Sequence, residues 1–290
     1  MSRLYIHSAS AFFGPADSSA EALKEELRKY ARESFRRVNR FILLALIGAR
    51  KCVHGHTVAT ETGVYLTTEH GNLGETAGVL DEIYAGRSLP KPFSFINTMS
   101  NTAAFYLAQN LGTRGRNITV SSQCLSFERG LELAAADFAA GAEQSALIGG
   151  VDLAPLDRAD AAARAGVGLR RLDGSGWFYL LPGRDGACGA FGENRSFRNA
   201  AAVLAWLRGR SANAVDTAAF GASIGPEEAA RWRDALRPGL VFEYLGESGA
   251  CGSAAACGIA LFLNGHPGRK LLHLNRNQRG EYALLEVEAF

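Results

Sequence analysis

Cys124 stands where the sequence changes its period. The run Ile118-Thr-Val-Ser-Ser-Gln-Cys-Leu-Ser-Phe-Glu-Arg-Gly130 starts as a short β-branched strand and continues after the cysteine as a helical pattern. A thiol on such a turn faces the unpaired N–H groups and positive dipole end of the coming helix, which stabilise a thiolate. This is how a nucleophile is presented above a sheet. A free cysteine is also a common small buried hydrophobe, so packing alone is the second reading of Cys124.

Other groups give weaker signals. Cys52, Cys124, Cys188, Cys251 and Cys257 are odd in number and scattered, without metal-ligand spacing. Reduced thiols in a cytoplasm are therefore expected. His54, His56 and His70 could approach one another, but no nearby cysteine or carboxylate spacing supports a metal site. No metal and no cofactor are expected.

Composition narrows the class. With 290 residues, 47% hydrophobic content and 33 glycines, the chain suits a closely packed α/β protein. A net charge of +2 gives no case for nucleic acid. Basic clusters at 28–32 and 36–40 read as solvated helix faces, or as a docking patch for an acidic carrier protein. The start of the chain reads as a strand over 1–7 with no signal-peptide core. The apolar stretch 41–47 is too short to span a bilayer, so no integral membrane segment is expected.

The elements that must hold Cys124 follow from patterning. Helices are expected at 20–37, 38–51, 75–85 and 98–111, with a strand at 58–67. The helix after Cys124 runs to Gly141. A glycine-closed buried strand follows around Ala146, Leu147 and Ile148, completing a βαβ unit. Residues 184–195 are glycine-rich and read as a loop between two halves. Beyond it come a helix at 200–208, a strand at 215–220, a helix at 226–235 starting on a proline, a small-residue helix at 249–263, and strands at 270–274 and 282–287. That last helix holds the place in the second half that the Cys124 helix holds in the first.

From about Arg36 to Leu181 the chain resembles the β-ketoacyl synthases of fatty-acid and polyketide assembly. The likeness rests on Asn97-Thr-Met-Ser-Asn-Thr-Ala-Ala104, the entry Leu111-Gly-Thr-Arg-Gly-Arg-Asn-Ile118, the cysteine turn, Ile148-Gly-Gly-Val-Asp152 and Asp173-Gly-Ser-Gly-Trp177. It implies the thiolase fold: two pseudo-symmetric halves in five layers, α-β-α-β-α. Residues 1–183 would form the half carrying Cys124 and residues 184–290 a shortened second half, together one domain.

The resemblance also shows what is missing. A condensing enzyme of this family needs a thiolate, two imidazoles or an imidazole and an amide, and an oxyanion hole. The segment expected to carry the first histidine is Ala219-Phe-Gly-Ala-Ser-Ile-Gly225. The second histidine would fall at Glu247, and the late oxyanion loop at Asn275-Arg-Asn-Gln-Arg-Gly280. None of these segments holds a histidine. Glu247 reads first as a charge favourable to the helix that follows.

The resemblance thus implies a ketosynthase-like partner subunit, similar to the chain-length factors of type II polyketide and aryl polyene systems. It would act as a heterodimer with an active ketosynthase and meet an acyl carrier protein. Phe93, Phe95, Phe105 and Tyr106 would face the partner's acyl tunnel, and the edge strand containing Asn117, Ile118, Thr119 and Val120 would form the interface. Cys124 would be vestigial or acyl-accepting. The alternative is an acyltransferase or atypical acyl-thioester enzyme with Cys124 as nucleophile.

Overall fold

The computed structural model describes residues 3–32, 38–154, 170–209 and 215–290. Its strands are β1 (Leu4–Pro15), β2 (Gly63–Thr67), β3 (Asn117–Val120), β4 (Ala146–Asp152), β5 (Leu172–Leu181), β6 (Gly189–Phe197), β7 (Thr217–Phe220), β8 (Leu240–Val241), β9 (Lys270–Arg276) and β10 (Tyr282–Ala289). The helices are α1 (Ala20–Arg28), α2 (Arg40–Cys52), α3 (Leu73–Tyr84), α4 (Pro92–Asn97), α5 (Asn101–Leu111), α6 (Ser126–Ala139), α7 (Ala200–Arg208), α8 (Pro226–Leu236), α9 (Leu245–Ser248) and α10 (Ala254–Gly265).

The strand order is β3-β2-β4-β5-β1-β6-β10-β9-β7-β8. Read inward from each end, it is one pattern used twice, β3-β2-β4-β5-β1 against β8-β7-β9-β10-β6. The pairings repeat as well. β2 is parallel to β3 and β4, as β7 is to β8 and β9, while the two inner pairs of each half are antiparallel. The halves join where Leu4, Tyr5 and Ile6 of β1 lie antiparallel to β6.

Helices α6 and α10 pack between the two halves. Helix α6 meets β2, β3, β4 and β6, and α10 meets β1, β4, β5, β9 and β10. Outside the first half lie α2 and α5; outside the second lie α7 and α8. These are the five layers α-β-α-β-α. Three apolar clusters fill the spaces between them, one around α6 and α10, one around α2, and one under α7 and α8. Phe127 on α6, Phe178 on β5 and Phe191 on β6 form an aromatic knot, with ring centroids 5.1–6.1 Å apart. Such contacts add roughly 0.5–1.5 kcal/mol per pair beyond their buried area.

Helix α2 shows why the outer layer forms. Asn39 lies in extended backbone and its side chain accepts from the Ile42 N–H, which starts the helix. Its apolar run is buried all round, as expected of a core helix. Gly48 lets it approach the sheet, because a Cβ there would lie 2.2 Å from Ser175 Oγ. No helix among the described residues is long and apolar enough to cross a membrane.

The structure corrects several expected boundaries. The first strand runs on to Pro15, since Ser10 is held on the sheet by donating to the Gly48 carbonyl. The helix expected over 20–37 ends at Arg28; residues 33–37 of that span, with Arg36 and Arg37, lie outside the described residues. Residues 184–195 are not simply a loop, because β6 starts at Gly189. A Cβ at Gly189 would lie 2.5 Å from the Glu288 carbonyl, so that glycine serves close strand approach. The small-residue helix begins at Ala254, after the separate turn of α9.

Candidate active site around Cys124

Cys124 lies two residues before α6, on a turn with a compressed backbone. Gln123 adopts φ 54°, a left-handed conformation uncommon outside glycine. Ser126 fastens the turn. Its hydroxyl accepts from the Ser122 N–H at 2.8 Å and lies 2.9 Å from the Thr68 carbonyl, to which it can donate. Asn275 on β9 reaches across from the second half and donates to the Cys124 carbonyl at 2.8 Å and to Glu128 Oε1 at 3.0 Å. The cysteine is therefore held by β2, α6 and β9 together.

Two side chains among the described residues bond the thiol. Cys124 Sγ donates to Glu69 Oε1 at 3.2 Å and accepts from Ser223 Oγ at 3.0 Å. The Glu69 side chain is 5% exposed, and its Oε2 lies 3.9 Å from His70 Nδ1, whose side chain is 31% exposed. Asp152 at the end of β4 fixes this segment. It accepts from the N–H groups of Glu69 and His70 and from the Thr68 hydroxyl. Despite those bonds, burial pushes the Asp152 carboxyl up to about 7.

The space above the sulfur is small. A cavity of about 10 Å³ is lined by Glu69, Cys124, Ser223, Cys251 and Asn275, with small residues closing the rest. That is room for about one water molecule. No described residue lining it is a histidine. Gly252 brings the second half close here, since a Cβ at that position would lie 2.4 Å from Glu69 Cβ and 2.7 Å from Asp152 Oδ2.

Beneath the turn lies a buried polar group. Glu128, in the first turn of α6, is pushed up to about 7 by burial. His273 on β9 is pushed down to about 4 by the same cause. Its Nδ1 lies 3.8 Å from Glu128 Oε1, and its Nε2 hydrogen-bonds the Tyr244 hydroxyl at 2.8 Å.

The expected site residues fall in three places. Cys124 heads the buried helix between the halves. Glu247 is exposed on α9 and outside the cavity lining; the carboxylate at the sulfur comes from Glu69 instead. From the segment 219–225 it is Ser223 that reaches the thiol, and from 275–280 it is Asn275. Phe93, Phe95 and Phe105 are exposed, and Tyr106 is half-buried against the α2 cluster. Ten of the twelve exposed large hydrophobic residues among those described lie between Leu73 and Phe105. Patches of that extent mark interaction surfaces. Among the described residues, strand β3, with Asn117, Ile118, Thr119 and Val120, pairs only with β2 and stands at the edge of the sheet.

His54 packs edge-on against Tyr30 and His56 against Tyr179, and no cluster among the described residues could hold a metal ion. Sequence reasoning missed Glu69. Its only local signal is a polar Glu-His pair following a buried strand, which a loop would show as well.

No curated protein sequence matches the chain. Solved structures do. The ishigamide ketosynthase/chain length factor aligns over 100% of both chains at 19% identity and a TM-score of 0.73. A type II polyketide synthase ketosynthase, solved with its acyl-carrier protein and bound to the hexaketide, aligns over 99% of both chains at 12% identity and 0.73. The oxazolomycin ketosynthase domain of Streptomyces albus aligns over 99% of this chain and 95% of its own at 14% identity and 0.65. These likenesses make the fold the thiolase fold. The family model for the β-ketoacyl synthase N-terminal domain matches residues 3–171, from β1 through the cysteine turn to the edge of β5. That span exceeds half of the sequence and contains the Cys124 turn, so the chain belongs to the β-ketoacyl synthase family.

Proposed function

We propose that this chain is a chain-length-factor-like subunit that pairs with an active β-ketoacyl-carrier-protein synthase in polyketide, aryl polyene or fatty-acid-like biosynthesis, and that it performs no condensation alone. The observation that carries this reading is the Cys124 cavity. A thiol sits at the nucleophile's place in contact with a carboxylate and a hydroxyl, the described residues lining the cavity beside it include no histidine, and that cavity holds about one water. Decarboxylative condensation needs proton and oxyanion donors there, each typically worth two or more orders of magnitude.

The surface supports a partner. The edge strand β3 and the apolar stretch from Leu73 to Phe105 occupy neighbouring elements, since α5 packs beside β3. In the proposed complex β3 meets the ketosynthase subunit, and Phe93, Phe95, Phe105 and Tyr106 line the far end of its acyl tunnel. The acyl carrier protein docks on the complex. Residues 1–183 and 184–290 act as the two halves of one domain.

Co-expression with a ketosynthase encoded beside it tests this. The expected result is a stable heterodimer that elongates malonyl units, while the isolated chain makes no elongated product. Elongation by the isolated chain would overturn the reading. Phe105→Ala should lengthen the products of the complex if that ring closes the tunnel.

A second reading, an acyl-thioester enzyme with Cys124 as nucleophile, is favoured by one contact. Glu69 lies 3.2 Å from the sulfur, where a base would have to be.

A further inference from the structure

We propose that Glu69 is the general base of an acyl-exchange site in which Cys124 takes the acyl group of a small acyl thioester, with Ser223 as the gate. This rests on the second reading above. The thiol already donates to Glu69 Oε1, so the carboxylate stands on the proton that must leave when sulfur attacks. Asp152, through the Glu69 and His70 N–H groups, fixes that segment from behind. The other Glu69 oxygen faces His70, whose partly exposed ring offers the proton a way to solvent.

The step balances without an oxidant or a metal. The Cys124 sulfur forms a bond to the thioester carbonyl carbon as its proton passes to Glu69. The bond from that carbon to the departing sulfur breaks, and Glu69 returns the proton to the leaving thiol. One thioester is exchanged for another. The shielded setting matters, because a carboxylate acts on a neighbouring proton more strongly when water is excluded.

Access defines the gate. About 10 Å³ admits no acyl group. Of the residues around the sulfur, Ser223 lies in the turn between β7 and α8, with glycine at 221 and 225, and it is only half-buried. The turn itself is anchored at Gly221, whose N–H donates to the Leu274 carbonyl on β9, so the opening movement is confined to Ser223, whose side chain swings off the sulfur. The substrate class is accordingly a short acyl thioester on a flexible thiol arm.

The test uses the purified full-length chain with S-acetyl and S-hexanoyl N-acetylcysteamine, read by intact mass and peptide mapping. Wild type is expected to gain one acyl group on Cys124, and C124A none. Glu69→Gln should slow acylation roughly a hundredfold, and Glu69→Asp, which keeps the carboxylate, should fall between. Ser223→Gly should accelerate it, more for the hexanoyl than the acetyl probe. Equal or faster acylation of E69Q would overturn the proposal, since Glu69 would then shield the thiol. So would absence of acylation in both wild type and S223G. Co-purification of wild type with the ketosynthase is scored separately. Wild type that pairs with the ketosynthase but is never acylated sinks this proposal alone, and wild type that is acylated but does not pair sinks the partner-subunit reading alone.

Discussion

Two cysteines stand at equivalent places in the two halves, before the two helices that fill the middle layer. Cys124 precedes α6 and Cys251 precedes α10, and each helix is fastened by a serine at its start. Ser126 is tied to the Thr68 carbonyl behind β2, and Ser253 donates to the Gly174 carbonyl on β5. The surroundings then diverge. Cys124 meets the side chains of Glu69 and Ser223, whereas Cys251 meets the Ser248 carbonyl and the Ser253 hydroxyl. Burial pushes the Cys251 thiol up to about 12. Helix-end position is thus common to both sites. What differs is whether side chains able to accept or donate a proton from a neighbouring loop reach the sulfur, and that decides which thiol can do chemistry.

The largest expected effect tests that contrast directly. With a thiol at about 12 against an ordinary value near 8.5, the thiolate population of Cys251 at pH 8 is lower by roughly three orders of magnitude. In the native chain, iodoacetamide should therefore leave Cys251 unlabelled on the timescale that modifies a free thiol. Its labelling should climb about tenfold per pH unit up to about pH 12 while the fold persists. Peptide mapping across a pH series measures this. Rapid labelling of Cys251 at neutral pH would remove the distinction between the two turns.

The next effect concerns how tightly the two middle helices are seated. At Gly176, facing α10, a Cβ would lie 2.6 Å from the Cys257 N and 2.7 Å from the Ala256 carbonyl carbon, both backbone. At Gly130, on α6, the nearest atom is Thr67 Cγ2 at 2.3 Å, the end of a side chain that can turn by giving up its hydroxyl's bond to the Gly149 carbonyl rather than by moving backbone. Gly176→Ala should destabilise by about 3 kcal/mol, toward the upper end of overpacking, and Gly130→Ala by about 1 kcal/mol. Denaturant unfolding with unchanged m-values would read the difference. Equal losses would mean that α10 shifts as readily as a side chain rotates.

Much of this organisation was legible in sequence, and the exceptions have physical reasons. The strand, cysteine and helix of the first half were readable because a β-branched run gives way to a helical period within a few residues. The helix at 200–208 was readable from its apolar face and flanking breaks. Strand β6 was hidden, because Gly189 and Gly192 serve close approach to β10 and carry no strand signal. Glu69 was hidden because it reaches Cys124 from 55 residues away in the chain, and local patterning holds no record of such a contact. Ser223 and Asn275 lay inside segments marked for other residue types. The backbone places of the site were thus legible, whereas its partners depended on side-chain reach.

A third effect compares the two sides of the polar group beneath the site. Glu128, on α6, has its folded value raised to about 7 from an ordinary 4.5. Between those values the native state binds more protons than the unfolded chain, so its contribution to stability falls as pH rises through that window. His273, on β9, is lowered to about 4, so between 4 and 6.5 it acts in the opposite sense and stability rises with pH. Of these two groups, only Glu128 still carries a penalty above pH 7. Glu128→Gln keeps an acceptor for Asn275 and removes the buried charge. It should stabilise the chain by about 2–3 kcal/mol at pH 8, with the gap closing below about pH 5. Thermal unfolding of both chains across pH 4–8 checks the sign. A constant gap at all pH values would place the effect in packing.

The smallest effect tests the repeat at its periphery. Helix α2 in the first half and α7 in the second follow equivalent strands, and each begins on an asparagine. Asn39 Oδ1 accepts from the Ile42 N–H and Asn199 Oδ1 from the Ala202 N–H, both at 3.0 Å. Alanine at such a cap typically costs about 1 kcal/mol. The two sites should not respond equally. Asn39 also donates to Asn72 Oδ1 at 3.0 Å, and Asn72 in turn donates to the Met99 carbonyl at 3.3 Å. Its removal therefore loosens the start of α3 and the link between α4 and α5, next to the exposed apolar stretch. Asn199 is exposed and serves α7 alone. Asn39→Ala should cost about 1.5 kcal/mol and Asn199→Ala about 0.5 kcal/mol. In hydrogen exchange, N39A should also speed exchange in α3 and α5, while N199A changes only the first turn of α7. Identical losses confined to the capped helices would show that the two halves share their local devices, and that the first half is not further tied together toward its β3 edge.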